Sequence, residues 1–214
     1  MSDVTDPGSS PLLSYASGPS DQPLLGDTIG RNLDRAIAAF PDREFLVDCR
    51  SGRRWTYAEF GRAVEEVALG LLAKGVGKGD RVGLWALNCP EWVIVQYAAA
   101  RVGAILVTIN PAYRLHELEY VLNQAGIGIL VSYSGCRTAD YRRMAEQVRH
   151  KCQKLRDIVY IGDRTWETLL TAGRGVAPER LAVREAQLSC DDPVGILYTS
   201  GTTGFPKGAT LSHH

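Results

Sequence analysis

Residues 81–110 read RVGLWALNCPEWVIVQYAAARVGAILVTIN, and this stretch decides the fold. Arg81 to Ala86 reads as a short apolar strand, Pro90 to about Val102 as a helix, and Ala104 to Ile109 as a second strand. The alternation continues with helix Leu115 to Ala125, strand Ile127 to Tyr133, helix Thr138 to about Lys151 and strand Asp157 to Ile161. Pro90 suits a first helical position, where its missing N–H costs nothing, and Gly126 suits a helix C-terminus. Strands joined by crossover helices lie parallel. The expected class is therefore α/β, a mostly parallel doubly wound sheet with flanking helices.

Toward the N-terminus, Thr56 stands three residues before Glu59, the spacing of a capping box. The helix it opens runs through Phe60, Val64, Val67, Leu71 and Leu72 to about Lys74, and Gly75 closes it. Before it, Glu44 to Cys49 and a second short strand ending at Trp55 form a hairpin about Ser51-Gly52. Ile29, Leu33, Ile37 and Phe40 lay an apolar stripe on a helix that Pro41 ends. Residues 1–25, rich in Pro, Gly and Ser, bury too little apolar surface to offset the entropy of ordering. They read as a disordered leader to a domain spanning 26–214. Toward the C-terminus, Trp166 to Ala172 reads as a short helix. The stretch from there to Gln187 reads as a surface connection between two lobes, and Val194 to Tyr198 as a buried strand.

A chain of 214 residues with 45% hydrophobic and 22% charged residues is long and apolar enough to bury a core. Its 24 basic residues balance 24 acidic ones, so it carries no basic field for nucleic acid. Cysteines 49, 89, 136, 152 and 190 are odd in number and form no C-x-x-C pair, which suits reduced thiols and a cytoplasmic address. Asp3 and Asp6 replace the basic start of a secretory signal. Gln96 and Arg101 interrupt the longest apolar stretch, 92–109, so no transmembrane segment is expected.

Directly after the last strand comes Tyr198-Thr199-Ser200-Gly201-Thr202-Thr203-Gly204-Phe205-Pro206-Lys207-Gly208. Its glycines and hydroxyl residues let backbone N–H groups converge, and Lys207 adds a full positive charge. Those are the parts of a phosphate cradle. It is not a Walker A loop, because Lys207 is followed by Gly208 and an extended Ala209 to Ser212 rather than by Ser/Thr and a helix. His213 and His214, adjacent on a strand, face opposite ways with no third ligand evident, so no metal is expected there. Cys89 beside Pro90 reads as packing rather than as a nucleophile.

The string Thr-Ser-Gly-Thr-Thr-Gly-x-Pro-Lys-Gly resembles the signature of the AMP-forming adenylate superfamily, which comprises acyl-CoA synthetases, firefly-type luciferases and peptide-synthetase adenylation domains. The likeness extends to Trp55-Thr56-Tyr57-Ala58-Glu59-Phe60, Gly79-Asp80-Arg81-Val82, Asn88-Cys89-Pro90-Glu91-Trp92 and Gly103-Ala104. Asn110-Pro111-Ala112-Tyr113 with Glu117-Leu118-Glu119-Tyr120-Val121-Leu122 is most similar to the fatty acyl-CoA ligases, among them the medium-chain group called acyl-CoA synthetase family member 2.

The resemblance implies an ATP-dependent ligase: a small-molecule carboxylic acid and ATP give acyl-AMP and pyrophosphate, and the thiol of CoA then displaces AMP. It implies that Thr199, Ser200, Gly201, Thr202, Thr203, Gly204 and Lys207 hold ATP phosphates, with Mg²⁺ offsetting the remaining charge. Family members are more than twice as long, so the chain is expected to be an N-terminal part, inactive on its own. A non-catalytic nucleotide-binding module and a peptide-synthetase adenylation domain stay open as alternatives, and the oligomeric state is not legible.

Overall fold

A computed structural model describes residues 25–135, 139–199 and 206–214. In chain order the elements are α1 (Ile29–Ala39), β1 (Glu44–Val47), β2 (Arg54–Thr56), α2 (Tyr57–Ala73), β3 (Arg81–Trp85), α3 (Pro90–Arg101), β4 (Ile105–Thr108), α4 (Leu115–Gln124), β5 (Ile129–Ser132), α5 (Tyr141–Arg149), β6 (Asp157–Tyr160), α6 (Arg164–Arg174), α7 (Glu179–Ala186), β7 (Pro193–Thr199) and β8 (Lys207–Ser212). Of the segment read as a leader, 1–24 lie outside the described residues, and Leu25 is exposed.

Local chemistry sets the helix ends where the sequence places them. Thr56 N donates to Glu59 Oε2 at 2.9 Å while Glu59 N donates to Thr56 Oγ1 at 3.2 Å, so the capping box is complete. Gly75 closes α2 with φ +74°, a conformation that only glycine takes without strain. Pro90 occupies the first turn of α3, and Cys89 caps it, its Sγ accepting from Trp92 N at 3.3 Å. The expected start of the fifth helix at Thr138 lies outside the described residues. In the structure Asp140 caps α5, its Oδ1 accepting from Arg143 N at 2.9 Å.

β1 and β2 form the predicted antiparallel hairpin. The other six strands form one sheet in the order β6-β5-β3-β4-β7-β8, parallel from β6 to β7, with β8 antiparallel to β7. Because successive side chains alternate faces, each strand feeds two cores. Val82, Leu84, Leu106, Ile129, Val131 and Val159 join residues of α2, α3 and α6 on one side. Trp85, Val107, Leu130, Ile158 and Tyr160 join residues of α4 and α5 on the other. Helices on both faces confirm the doubly wound α/β class. Each fully buried Val, Leu or Ile contributes roughly 1.5–3 kcal/mol relative to exposure.

Two expectations need correction. The stretch before Gln187 is not a loose connection between lobes. α7 docks on the same body, with Leu181 buried, Glu185 paired with Arg101 of α3, and Arg184 Nη1 donating to Val102 O at 2.9 Å. Its anchors are tertiary, which is why local periodicity understates it. Nor is Val194 to Tyr198 fully buried. Ile196 and Tyr198 pack on the α4–α5 core, whereas Leu197 points to the other face and is 44% exposed.

α2 crosses α6 at two glycines. A Cβ on Gly173 would lie 2.6 Å from Gly70 N and 3.1 Å from Glu66 O, and one on Gly70 would lie 2.7 Å from Leu169 O. Backbone atoms cannot yield as side-chain tips do. Gly173→Ala should therefore destabilise the protein by about 1–3 kcal/mol, while Gly175→Ala, whose nearest neighbour is Ala172 O at 3.5 Å, should stay within about 0.5 kcal/mol; urea unfolding of both variants checks this. Leu181→Ala should cost about 2–5 kcal/mol in the same assay, whereas a loose surface segment would lose almost nothing.

Candidate functional site

The segment read as a phosphate cradle joins β7 to β8. Since β7 runs parallel to β4, it leaves the sheet at the carboxyl edge of the parallel strands, where open α/β sheets bind their ligands. Thr199 pairs with Lys207, Tyr198 with Gly208 and Leu197 with Ala209 across the hairpin. The Thr199 hydroxyl donates to the Lys207 carbonyl at 3.4 Å, so the two flanks are joined at the mouth. Ser200, Gly201, Thr202, Thr203 and Gly204 lie outside the described residues. Of the sequence-predicted set the structure therefore places Thr199 and Lys207, both exposed and directly opposite one another. The Lys207 ammonium forms no ion pair with any described residue, so its charge is available to a ligand.

Glycine suits position 208, because a Cβ there would lie 2.8 Å from Ile196 Cγ2 and force that side chain to shift. Beside it, burial pushes the Tyr198 phenol up to about 12, with Tyr120 and Tyr113 adding to the shift. Its hydroxyl donates to Gln124 Oε1 of α4, and Tyr120 of the same helix donates to Pro206 O at 3.2 Å. The Asn110-Pro111 landmark lies at the same sheet edge after β4. Trp85 Nε1 donates to Asn110 O at 3.1 Å and the Tyr141 hydroxyl to Pro111 O at 3.0 Å. Neither Trp85 nor Tyr141 carries a motif, and their ring centroids meet at 4.3 Å only because β3 and α5 are brought together by the fold.

Both histidines follow the end of β8, and both line one cleft beside α1. His213 turns toward α1, where its Nδ1 accepts from Ile29 N at 3.1 Å, beside a cleft of about 600 Å³ that Thr28, Asn32, Phe45, Gln96 and Tyr97 also line. His214 turns toward the turn before β7. There, contrary to the expectation of no third ligand, Cys190, Asp191 and His214 each bring a donor atom to within 4.8 Å of one another at the surface. The separation of 24 positions between Cys190 and His214 hides that meeting from any spacing rule. Burial pushes the Cys89 thiol up, against the opposing effect of the Tyr133 hydroxyl and the Trp92 N–H, which suits a capping residue better than a nucleophile.

A family model described as "AMP-binding enzyme" matches residues 33–214. The chain belongs to the AMP-binding enzyme family. It is 38% identical over 231 residues to the mitochondrial medium-chain acyl-CoA ligase ACSF2 of Danio rerio, covering 99% of this chain and 38% of that protein. It is 35% identical over 209 residues to the putative acyl-CoA synthetase YngI of Bacillus subtilis, covering 89% of this chain and 38% of that one. The chain thus spans about two fifths of the length of these relatives. Among solved structures, the inhibitor-bound N-terminal domain of FACL13 from Mycobacterium tuberculosis superposes with a TM-score of 0.75 at 28% identity, over 87% of this chain and 44% of that one. The anthranilate CoA ligase AuaEII in complex with anthranoyl-AMP gives a TM-score of 0.75 at 26% identity, over 90% and 35%. No described helix is long and apolar enough to cross a membrane.

The hydrogen bond from Ile29 N requires an unprotonated Nδ1 on His213, and burial, with Lys78 nearby, lowers the ring's affinity for a proton despite the opposing pull of Asp192. The folded value thus lies below the ordinary 6.5. Stability from this group is complete above that value and is lost as pH falls through the folded one. The expected results are an NMR titration midpoint for His213 below 6.5 and a melting temperature that drops less on acidification in His213→Ala than in the native protein.

Proposed function

We propose that the full-length protein containing this chain is an AMP-forming acyl-CoA ligase acting on fatty carboxylates. A carboxylate oxygen attacks the α-phosphorus of ATP, forming acyl-AMP and releasing pyrophosphate. The CoA thiol then attacks the acyl carbonyl, forms the thioester and releases AMP. The observation that carries the reading is a glycine- and hydroxyl-rich sequence whose described flanks, Thr199 and Lys207, stand opposite one another at the carboxyl edge of the sheet, Lys207 forming no ion pair among the described residues. The names of the relatives, medium-chain acyl-CoA ligase and acyl-CoA synthetase, support the substrate class.

An anion attacking a polyanion meets repulsion, so the work of these residues is to neutralise and orient rather than to transfer protons. Backbone N–H groups of Gly201 and Gly204, the hydroxyls of Thr199, Ser200, Thr202 and Thr203, and the Lys207 ammonium hold the β- and γ-phosphates, directing the α-phosphorus toward the carboxylate. This donor set suits an anion. Of these residues, the hydroxyls of Thr199, Ser200, Thr202 and Thr203 are the groups that would meet Mg²⁺ beside the triphosphate. When bound, Mg²⁺ supplies charge neutralisation on those oxygens. The described cysteines Cys49, Cys89, Cys152 and Cys190 are all free thiols, which fits a reducing compartment such as the cytoplasm.

In the full-length protein Lys207→Ala should lower ATP–pyrophosphate exchange at least tenfold, the equivalent of about 1.4 kcal/mol. Exchange at the native rate would remove the segment from the mechanism, and exchange that no carboxylate supports would favour the nucleotide-binding module. A panel of carboxylic acids of increasing chain length in the same assay identifies the substrate.

A further inference from the structure

We propose that α4 is the anchor of the phosphate segment and that Tyr120 and Gln124 are positioning residues for ATP. The inference rests on the reading of residues 199–207 as the phosphate grip and adds to it a means of holding that grip in register.

Among the described residues β8 pairs with β7 alone, and most of its residues are exposed. The Thr199 to Lys207 hydrogen bond closes the mouth of the hairpin but ties it to nothing else. β7 is held to the body by its parallel ladder with β4, which ends at Leu197; beyond that ladder the described side-chain ties come from α4. Tyr120 and Gln124 are four residues apart and so share one face of that helix. The Tyr198 hydroxyl donates to Gln124 Oε1 one residue before Thr199, and the Tyr120 hydroxyl donates to Pro206 O one residue before Lys207. Both flanks of the segment are thus fixed to a single rigid element, each contact lying one residue outside the groups that would meet phosphate. Pro206 lacks an N–H and stands outside the ladder, so its carbonyl is the backbone polar group through which this flank can be held.

The geometry has a kinetic consequence. Phosphate donors stabilise a transferring group only if they are already in place, because a displacement of about 1 Å can forfeit a hundredfold in rate. α4 is itself secured on its inner face, where Leu118, Val121 and Leu122 are buried. Through Tyr120 and Gln124 that rigidity is passed to a hairpin at the sheet edge.

The test uses full-length protein and steady-state kinetics with each substrate varied in turn. Tyr120→Phe removes one hydroxyl and keeps the ring. It should raise KM for ATP by about threefold to tenfold, the range for one neutral hydrogen bond, with KM for the carboxylate and for CoA unchanged and the melting temperature held. Gln124→Met removes the other acceptor and should act in the same direction, whereas Gln124→Glu, which keeps an oxygen acceptor for Tyr198, should restore most of the loss. If Tyr120→Phe and Gln124→Met leave KM for ATP unchanged while Lys207→Ala still abolishes exchange, the anchoring role is wrong and the phosphate reading stands. A fall in melting temperature with all three KM values unchanged or moving together would likewise overturn it, as a purely structural effect. If Lys207→Ala is itself silent, the reading on which the inference rests has failed first.

Discussion

Burial of both faces of the parallel strands is the constraint on which the rest of this structure depends. Val82 and Leu84 face the α2–α3 side while Trp85 faces α4 and α5, so the central strand has no side free for solvent or ligand. A sheet covered in this way can present chemistry only at its strand ends. Thr28 and Ser132, the buried polar residues among those described, are both hydrogen-bonded. The buried Ser132 hydroxyl donates to Trp85 O at 2.8 Å, and leaving such a group unpaired would cost roughly 1–3 kcal/mol. Trp85 in turn reaches Asn110 at the end of β4, next to the strand that carries the phosphate segment. The carboxyl edge is therefore braced from β5 through β3 to β4 before β7 adds its own loop.

The two helical layers do this differently. On the α2–α6 side the close approach depends on Gly70 and Gly173, where backbone meets backbone, and Arg101 joins α3 to Glu185 of α7 and to Asp34 of α1. On the α4–α5 side the contact is made by large side chains, and Tyr120 and Tyr198 extend it to the sheet edge. The first layer fixes the body; the second reaches the hairpin. A change in α2 or α6 thus acts on global stability, while α4 is the helix whose side chains touch Tyr198 and Pro206, the flanks of the proposed phosphate segment.

How much of this is legible in the sequence follows the range of each interaction. The capping box at Thr56, the helix start at Pro90 and the left-handed Gly75 are encoded within a few residues, and the structure places them as read. The order of strands and helices after Arg81 is equally local, since period and turn chemistry repeat within each unit. α7 is different. Its register depends on Arg184 meeting Val102 O, 82 positions away, and on Glu185 meeting Arg101, so a window of local periodicity sees only a charged stretch. The tie made by Tyr120 is hidden for the same reason, because its partner Pro206 is 86 positions on. The composition of the phosphate segment is plain in the sequence, but its support is not.

The direction of the chain after Lys207 gives a last reason for that support. In a loop that runs into a helix, the aligned peptide dipoles place partial positive charge at the helix N-terminus, and bound anions gain from it. Here Lys207 opens a strand, and strand dipoles alternate and largely cancel. A phosphate held at this mouth must therefore rely on individual donors and on the single full charge of Lys207. Point donors are more sensitive to displacement than an extended dipole, since each hydrogen bond weakens steeply once its angle falls toward ~120°. The register of β7 against β8, the small residue at 208 and the two contacts from α4 would all act on that displacement. On the proposed reading, a strand-terminated phosphate segment would exchange the dipole of a helix for precision at its flanks, and the described side chains that touch those flanks come from a neighbouring element rather than from the motif.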